Sequence, residues 1–79
     1  MDLLGRLAEL REAIQSAAAA SGAMDIRVFG SVARREYDET SDIDFLVSLM
    51  PGRSLVDLAR LELQLEKLLG RRVDVMTVN

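Results

Sequence analysis

Apolar residues recur at spacings of three and four near the start of the chain: Leu3, Leu7, Leu10, Ile14 and Ala17. This spacing puts them on one stripe of a helix over residues 2–20, with Glu9, Arg11, Glu12 and Gln15 off the stripe. Ser21-Gly22 ends it, with glycine suited to the left-handed cap position. Ile26-Arg27-Val28-Phe29 then reads as a short strand that Gly30-Ser31 breaks. Val32 to Glu36 reads as a short helix with Ser31 at its N-terminus, and Tyr37 to Ser41 as a polar loop. Asp42 to Leu49 is the most apolar strand, so it is expected at the centre of the sheet. Pro51-Gly52 makes a turn. Ser54 and Asp57 are spaced as a capping pair opening a second long helix, whose buried face is Leu55, Leu58, Leu61, Leu65, Leu68 and Leu69. Gly70 stops that helix. A third strand runs from Arg72 to Val78, with Val73 and Val75 on one face and Asp74 and Met76 on the other.

The order αβαβαβ defines an α/β (α+β) chain read as a single domain over residues 1–79, two long helices covering one face of a small sheet. At 49% apolar residues it has the makings of a globular core, and with only Phe29, Tyr37 and Phe45 aromatic that core must be mainly aliphatic. The net charge of −3 argues against stable nucleic-acid binding by this chain alone, because phosphate contacts carry most of such affinity. No basic leader or membrane-spanning apolar run is visible, so a cytoplasmic protein without membrane association is expected.

The absence of cysteine and histidine narrows the chemistry further. It removes thiol catalysis, the commonest general base and the commonest zinc ligand. A metal here must be held by oxygen, which favours Mg²⁺, Mn²⁺ or Ca²⁺. Asp42 and Asp44 lie at i and i+2 of a strand and so share a face, opposite Ile43, Phe45 and Val47. Two close carboxylates repel, and a divalent cation is the simplest way to keep both ionised. The competing reading is a solvated strand start. Asp74 interrupts the third strand and must face solvent, an arginine or a metal. Beside the paired carboxylates a third ligand is the better reading, and three carboxylates suit a two-Mg²⁺ phosphoryl-transfer site.

Gly30-Ser31 stands where a strand turns into a short helix, a place where backbone N–H groups can approach a phosphate. Taken alone it is an ordinary turn with a serine cap. Arg34 follows Ser31 by three residues; it reaches either a triphosphate or the loop acids Glu36, Asp38 and Glu39, with loop pairing favoured. Tyr37 is expected to be a packed ring, and Arg71-Arg72 a solvated helix end that complements the helix dipole.

Together, Phe29-Gly30-Ser31, Asp42-Ile43-Asp44-Phe45 and Asp74 resemble the nucleotidyltransferase superfamily typified by DNA polymerase beta. The longer strings Phe-Gly-Ser-Val-Ala-Arg and Ser-Asp-Ile-Asp-Phe-Leu-Val resemble its minimal members in bacteria and archaea, encoded beside helical HEPN-domain partners in toxin–antitoxin pairs of the MntA–HepT type. The resemblance implies the nucleotidyltransferase fold, a small mixed sheet with helices on one face. It implies transfer of a nucleoside monophosphate, AMP from ATP, to a hydroxyl on a HEPN-type toxin, with the chain as antitoxin. It assigns two Mg²⁺ (or Mn²⁺) to Asp42, Asp44 and Asp74, which are also the catalytic residues, and nucleotide binding to Gly30, Ser31 and Arg34.

Two departures stand out. Many relatives have glycine where this chain has Arg35, and they usually continue past the equivalent of Asn79. One sheet edge or apolar patch is therefore expected to lie uncovered, for a partner or a second copy of the chain to cover. The alternative functional reading is a non-catalytic module that neutralises a partner by contact alone. An inert structural fragment is a third reading, set against the presence of all three acidic positions.

Overall fold

The computed structural model describes residues 3–78. The first helical segment is two helices, α1 (Leu3–Glu9) and α2 (Arg11–Ala20), where the sequence predicts one over residues 2–20; residue 2 lies outside the described residues. The break is a bend rather than a separation. Leu10 leaves helical geometry at φ −94°, ψ 10°. Its N–H still reaches the Arg6 carbonyl at 3.0 Å, and its carbonyl still accepts from Ile14 at 2.9 Å. Both halves of the stripe still join the core: Leu3, Leu7 and Ile14 are buried, as is Ala18, and Leu10 and Ala17 pack beside them.

Strand β1 (Ala23–Phe29) begins three residues earlier than its apolar pattern predicts. Pairing with the next strand recruits those residues, through Ala23 opposite Leu49 and an irregularity between Ala23 and Asp25. Helix α3 is Gly30–Ala33, not Val32 to Glu36. It ends early because Arg35 takes the left-handed conformation, at φ 61°. The Arg35 N–H then bonds the Val32 carbonyl at 3.0 Å and the Glu36 N–H bonds that of Ser31 at 2.7 Å, closing the helix as a Schellman motif. Arg35, the first departure noted in the sequence, is thus the one described non-glycine residue with positive φ.

Strand β2 (Ile43–Leu49) is central, in the order β1-β2-β3. It runs antiparallel to β1 and parallel to β3 (Val73–Thr77), so the sheet is mixed. Helix α4 (Leu55–Leu69) makes the crossover between the parallel strands. Its capping box forms as the sequence predicts. The Ser54 hydroxyl accepts from the Val56 N–H at 3.3 Å, and the Asp57 carboxylate accepts from the Ser54 N–H at 3.0 Å. Gly70 closes the helix at φ 67°.

Helices α2 and α4 cover one face of the sheet. Ile43, Phe45 and Val47 on β2 and Leu61 and Leu65 on α4 are essentially inaccessible, and Val73, Val75, Leu69 and Val32 pack with them. Each such side chain contributes about 1.5–3 kcal/mol by leaving water. Tyr37 packs against this cluster as expected. The predicted face of α4 needs one correction: Leu55, in the first turn, is 79% exposed.

The outer edge of β3 is not left bare. Ile43 donates to the Arg72 carbonyl and Val78 to that of Val47, so the alternate residues Val73 and Val75 point their N–H groups away from β2. Glu66 and Glu62, one turn apart on α4, accept them at 3.1 and 3.4 Å. Apolar side chains that do remain exposed include Met24, Met50, Val56, Leu63, Met76 and Val78. No described helix is long and apolar enough to cross a membrane.

Candidate active site

Strand alternation decides which side chains leave the core. Because Ile43, Phe45 and Val47 face the helices, Asp44 and Leu46 face the opposite, open side of the sheet. Because Val73 and Val75 face inward, Asp74 and Met76 share that open side. Strand register then aligns the row: Phe29 of β1 lies opposite Asp44, and Asp44 lies opposite Asp74. Neighbouring strands are about 4.8 Å apart, so the two carboxylates start from adjacent backbone positions. Asp42, two residues before Asp44, stands just ahead of the strand and is exposed.

The electrostatics show that these groups feel one another. Burial is the main cause that pushes the Asp44 carboxyl above its ordinary value of 3.8, and the charges of Asp74 and then Asp42 push it the same way. Arg34 opposes them. Asp44 is therefore a half-buried carboxylate in a negative field, which a cation would relieve.

Gly30 completes this corner. It follows Phe29, the register partner of Asp44, and has φ 73°. A Cβ at Gly30 would lie 2.5 Å from Asp44 Oδ2 and 3.3 Å from its Cγ. Only glycine lets the first turn of α3 come this close to the carboxylate. Phe29 is the N-cap of α3, so Ser31 is inside the first turn rather than at the cap predicted for it. The first-turn N–H groups of a helix have no acceptor within it, and Gly30 and Ser31 carry two of them.

Arg34 makes the loop pairing favoured for it in the sequence. Its Nε donates to Glu36 Oε2 at 3.3 Å, an exposed ion pair. Its charge nevertheless acts on Asp44 from the same rim. Gly30, Asp44 and Asp74 are thus assembled by register and close approach, and Asp42 and Arg34 adjoin them through their charge.

The structure corrects the expectation for Arg71. Instead of a solvated helix end, it reaches across the chain: Nη2 donates to the carbonyls of Asp38 and Ser41, both at 2.7 Å. Sequence reasoning missed this because the partners are 33 and 30 residues away and are backbone atoms. The loop 38–41 has its own order as well. The Asp38 carboxylate accepts from the Thr40 N–H and hydroxyl, both at 2.8 Å, and from the Ser41 hydroxyl at 3.2 Å.

The donor set is all carboxylate, which fits hard divalent cations such as Mg²⁺ or Mn²⁺. Among the described residues no three acidic side chains are gathered tightly enough to enclose an ion. Register sets Asp44 and Asp74 side by side, and the raised Asp44 supplies the uncompensated charge a cation would meet.

Known proteins share this arrangement of segments. A solved structure of a protein provisionally termed a minimal nucleotidyltransferase superposes with a TM-score of 0.86 at 55% identity, covering 98% of this chain and 78% of the other. A protein of Methanocaldococcus jannaschii provisionally named a protein adenylyltransferase is 58% identical over 52 residues, 66% of this chain and 56% of that protein. The protein adenylyltransferase MntA of Thermococcus cleftensis is 47% identical over 55 residues, 70% of this chain and 56% of that protein. The chain thus spans about half the length of the curated relatives it matches. The family profile described as "Nucleotidyltransferase domain" matches residues 7–79, and with the solved structure it establishes that this chain belongs to the nucleotidyltransferase domain family.

Proposed function

We propose that the chain is a metal-dependent nucleotidyltransferase that moves AMP from ATP to a hydroxyl of a partner protein. The observation that carries the reading is the alignment of Asp44 with Asp74 on the open sheet face, with Gly30 against the Asp44 carboxylate. The adenylyl group and the protein acceptor are taken from the names of its relatives, one a protein adenylyltransferase and another provisionally so named.

In this reading Asp42, Asp44 and Asp74 hold two Mg²⁺ or Mn²⁺ ions. Bound there, the ions would neutralise the triphosphate and stabilise charge on the attacking and leaving oxygens. The backbone at Gly30 and Ser31 receives the β and γ phosphates, with the Ser31 hydroxyl as a further donor. Arg34 exchanges Glu36 for phosphate, a small change because exposed ion pairs contribute little. Asp74, the more exposed of the aligned pair, faces the incoming hydroxyl and takes up its proton. The hydroxyl oxygen bonds to the α-phosphorus, the bond from that phosphorus to the bridging oxygen breaks, and pyrophosphate leaves with the electron pair. The protein's part is positioning and charge stabilisation.

The acceptor is assigned to a HEPN-domain toxin, with this chain as the cytoplasmic antitoxin that modifies it. One relative bears the name MntA, the type to which the sequence strings point. The test is to incubate the chain with its helical partner, ATP and Mg²⁺ and to weigh the partner by mass spectrometry. Addition of AMP by the wild type and none by Asp44→Asn is the expected result. An unmodified partner with both proteins would overturn the catalytic reading.

A further inference from the structure

The third carboxylate of the row, Asp42, is held differently from the other two. Asp44 and Asp74 lie inside strands, where the ladder fixes the backbone. Asp42 lies outside, between the loop 38–41 and the first residue of β2. Its two neighbours are nevertheless both tied, and to the same short segment. On one side, the Ser41 carbonyl accepts from Arg71 Nη2 at 2.7 Å. On the other, the Ile43 N–H donates to the Arg72 carbonyl at 3.0 Å. The same Nη2 also holds the Asp38 carbonyl, at the far end of the loop.

We infer that Arg71 is a positioning residue for the metal site: it clamps the backbone around Asp42 so that this carboxylate meets the cation in register with Asp44 and Asp74. The inference rests on the metal-dependent reading above. Asp74 is three residues beyond Arg71, so one segment, 71–74, both supplies a carboxylate and sets the place of another, Asp42, from far earlier in the chain. The side chain is built for this rather than for solvent. It is partly buried, and its Nε is enclosed with no hydrogen-bond partner. A merely solvated arginine would keep that donor in water; here it is given up while Nη2 spends both its hydrogens on the loop. Loop 38–41 holds itself through Asp38, Thr40 and Ser41, so Arg71 is placed to orient an already folded loop against β3 rather than to create it.

The test measures metal uptake directly. Mn²⁺ binding to the full chain is followed by calorimetry for wild type, Arg71→Met, Arg71→Lys and Asp44→Asn. We expect about tenfold weaker binding by Arg71→Met, a level between the two for Arg71→Lys, whose ammonium can still reach a carbonyl, and no binding by Asp44→Asn. In the transfer assay, Arg71→Met should need about tenfold more Mg²⁺ and approach the wild-type rate when Mg²⁺ saturates. A purely structural arginine would lower the melting temperature and leave Mn²⁺ affinity unmoved; that outcome overturns the inference and spares the proposed function. Wild-type protein that takes up no Mn²⁺ overturns both. If Arg71→Met does not fold, Arg71→Lys decides: at least threefold weaker uptake supports the clamp, and wild-type affinity overturns it.

Discussion

Asp44 and Asp74, on parallel neighbouring strands, are register partners on the open face of the sheet. Like charges at adjacent positions are unfavourable in a sheet, and Asp44 shows it: its carboxyl is raised by burial and by the charges of Asp74 and Asp42. Under the proposed function, a divalent cation bound at this pair offsets that repulsion.

Removing the central charge tests that directly. Asp44→Asn should lower Mg²⁺-dependent transfer by about 10³-fold or more, the scale of losing a principal transition-state stabiliser. Far-ultraviolet circular dichroism should be unchanged, because Asn fills the same space. Transfer at the wild-type rate would refute the assignment, and intact neutralisation of a partner by the inactive variant would favour contact alone.

The same residue gives a pH signature. The raised Asp44 carboxyl means that the native state holds this proton more tightly than the unfolded chain does. Stability of the metal-free protein therefore falls as pH rises from 3.8 through the raised value, and the penalty persists above it. Asp38 and Asp57 act in the opposite sense. Hydrogen bonds, from Thr40 and Ser54 above all, lower their carboxyls, and their contribution is lost as pH falls below 3.8. Comparing thermal midpoints of wild type and Asp44→Asn from about pH 3 to 8 isolates Asp44. The variant should melt higher near neutrality, and Mg²⁺ should raise the midpoint of the wild type alone.

Gly30→Ala meets two obstacles. The left-handed φ of 73° disfavours any side chain by about 1–2 kcal/mol, and the new methyl would crowd Asp44 Oδ2. The variant should unfold at lower denaturant and bind ATP more weakly. Normal stability and normal ATP affinity together would show that α3 does not need to approach Asp44 so closely.

Arg35→Gly should do the reverse. Arg35 pays a left-handed penalty at φ 61° that glycine avoids, offset partly by glycine's greater unfolded freedom. A gain of about 0.5 kcal/mol in urea unfolding is expected, with transfer activity unchanged.

Glu66→Ala should leave the Val73 N–H on the sheet edge without its acceptor. A loss of about 1 kcal/mol follows from the missing bond. A raised tendency to associate, seen by light scattering, follows from the opened edge.

The sequence alone determined most of the elements and the faces of their central residues, though not all of their bounds. Period-four leucines marked α4, Ser54 and Asp57 marked its start, and alternation put Asp44 opposite Ile43 and Phe45, and Asp74 opposite Val73 and Val75. These are local properties, set by the geometry of a helix or strand within a few residues. Tertiary structure decided the rest. The Leu10 bend and the early start of β1 answer to what lies beneath or beside them. The close approach of Gly30 to Asp44, the pairing of Asp44 with Asp74, the Arg71 bridge to loop 38–41 and the glutamates on the β3 edge join residues that are far apart in sequence. No local periodicity encodes such contacts. They form only when burial of the aliphatic core brings distant segments together and their backbone groups must then find partners.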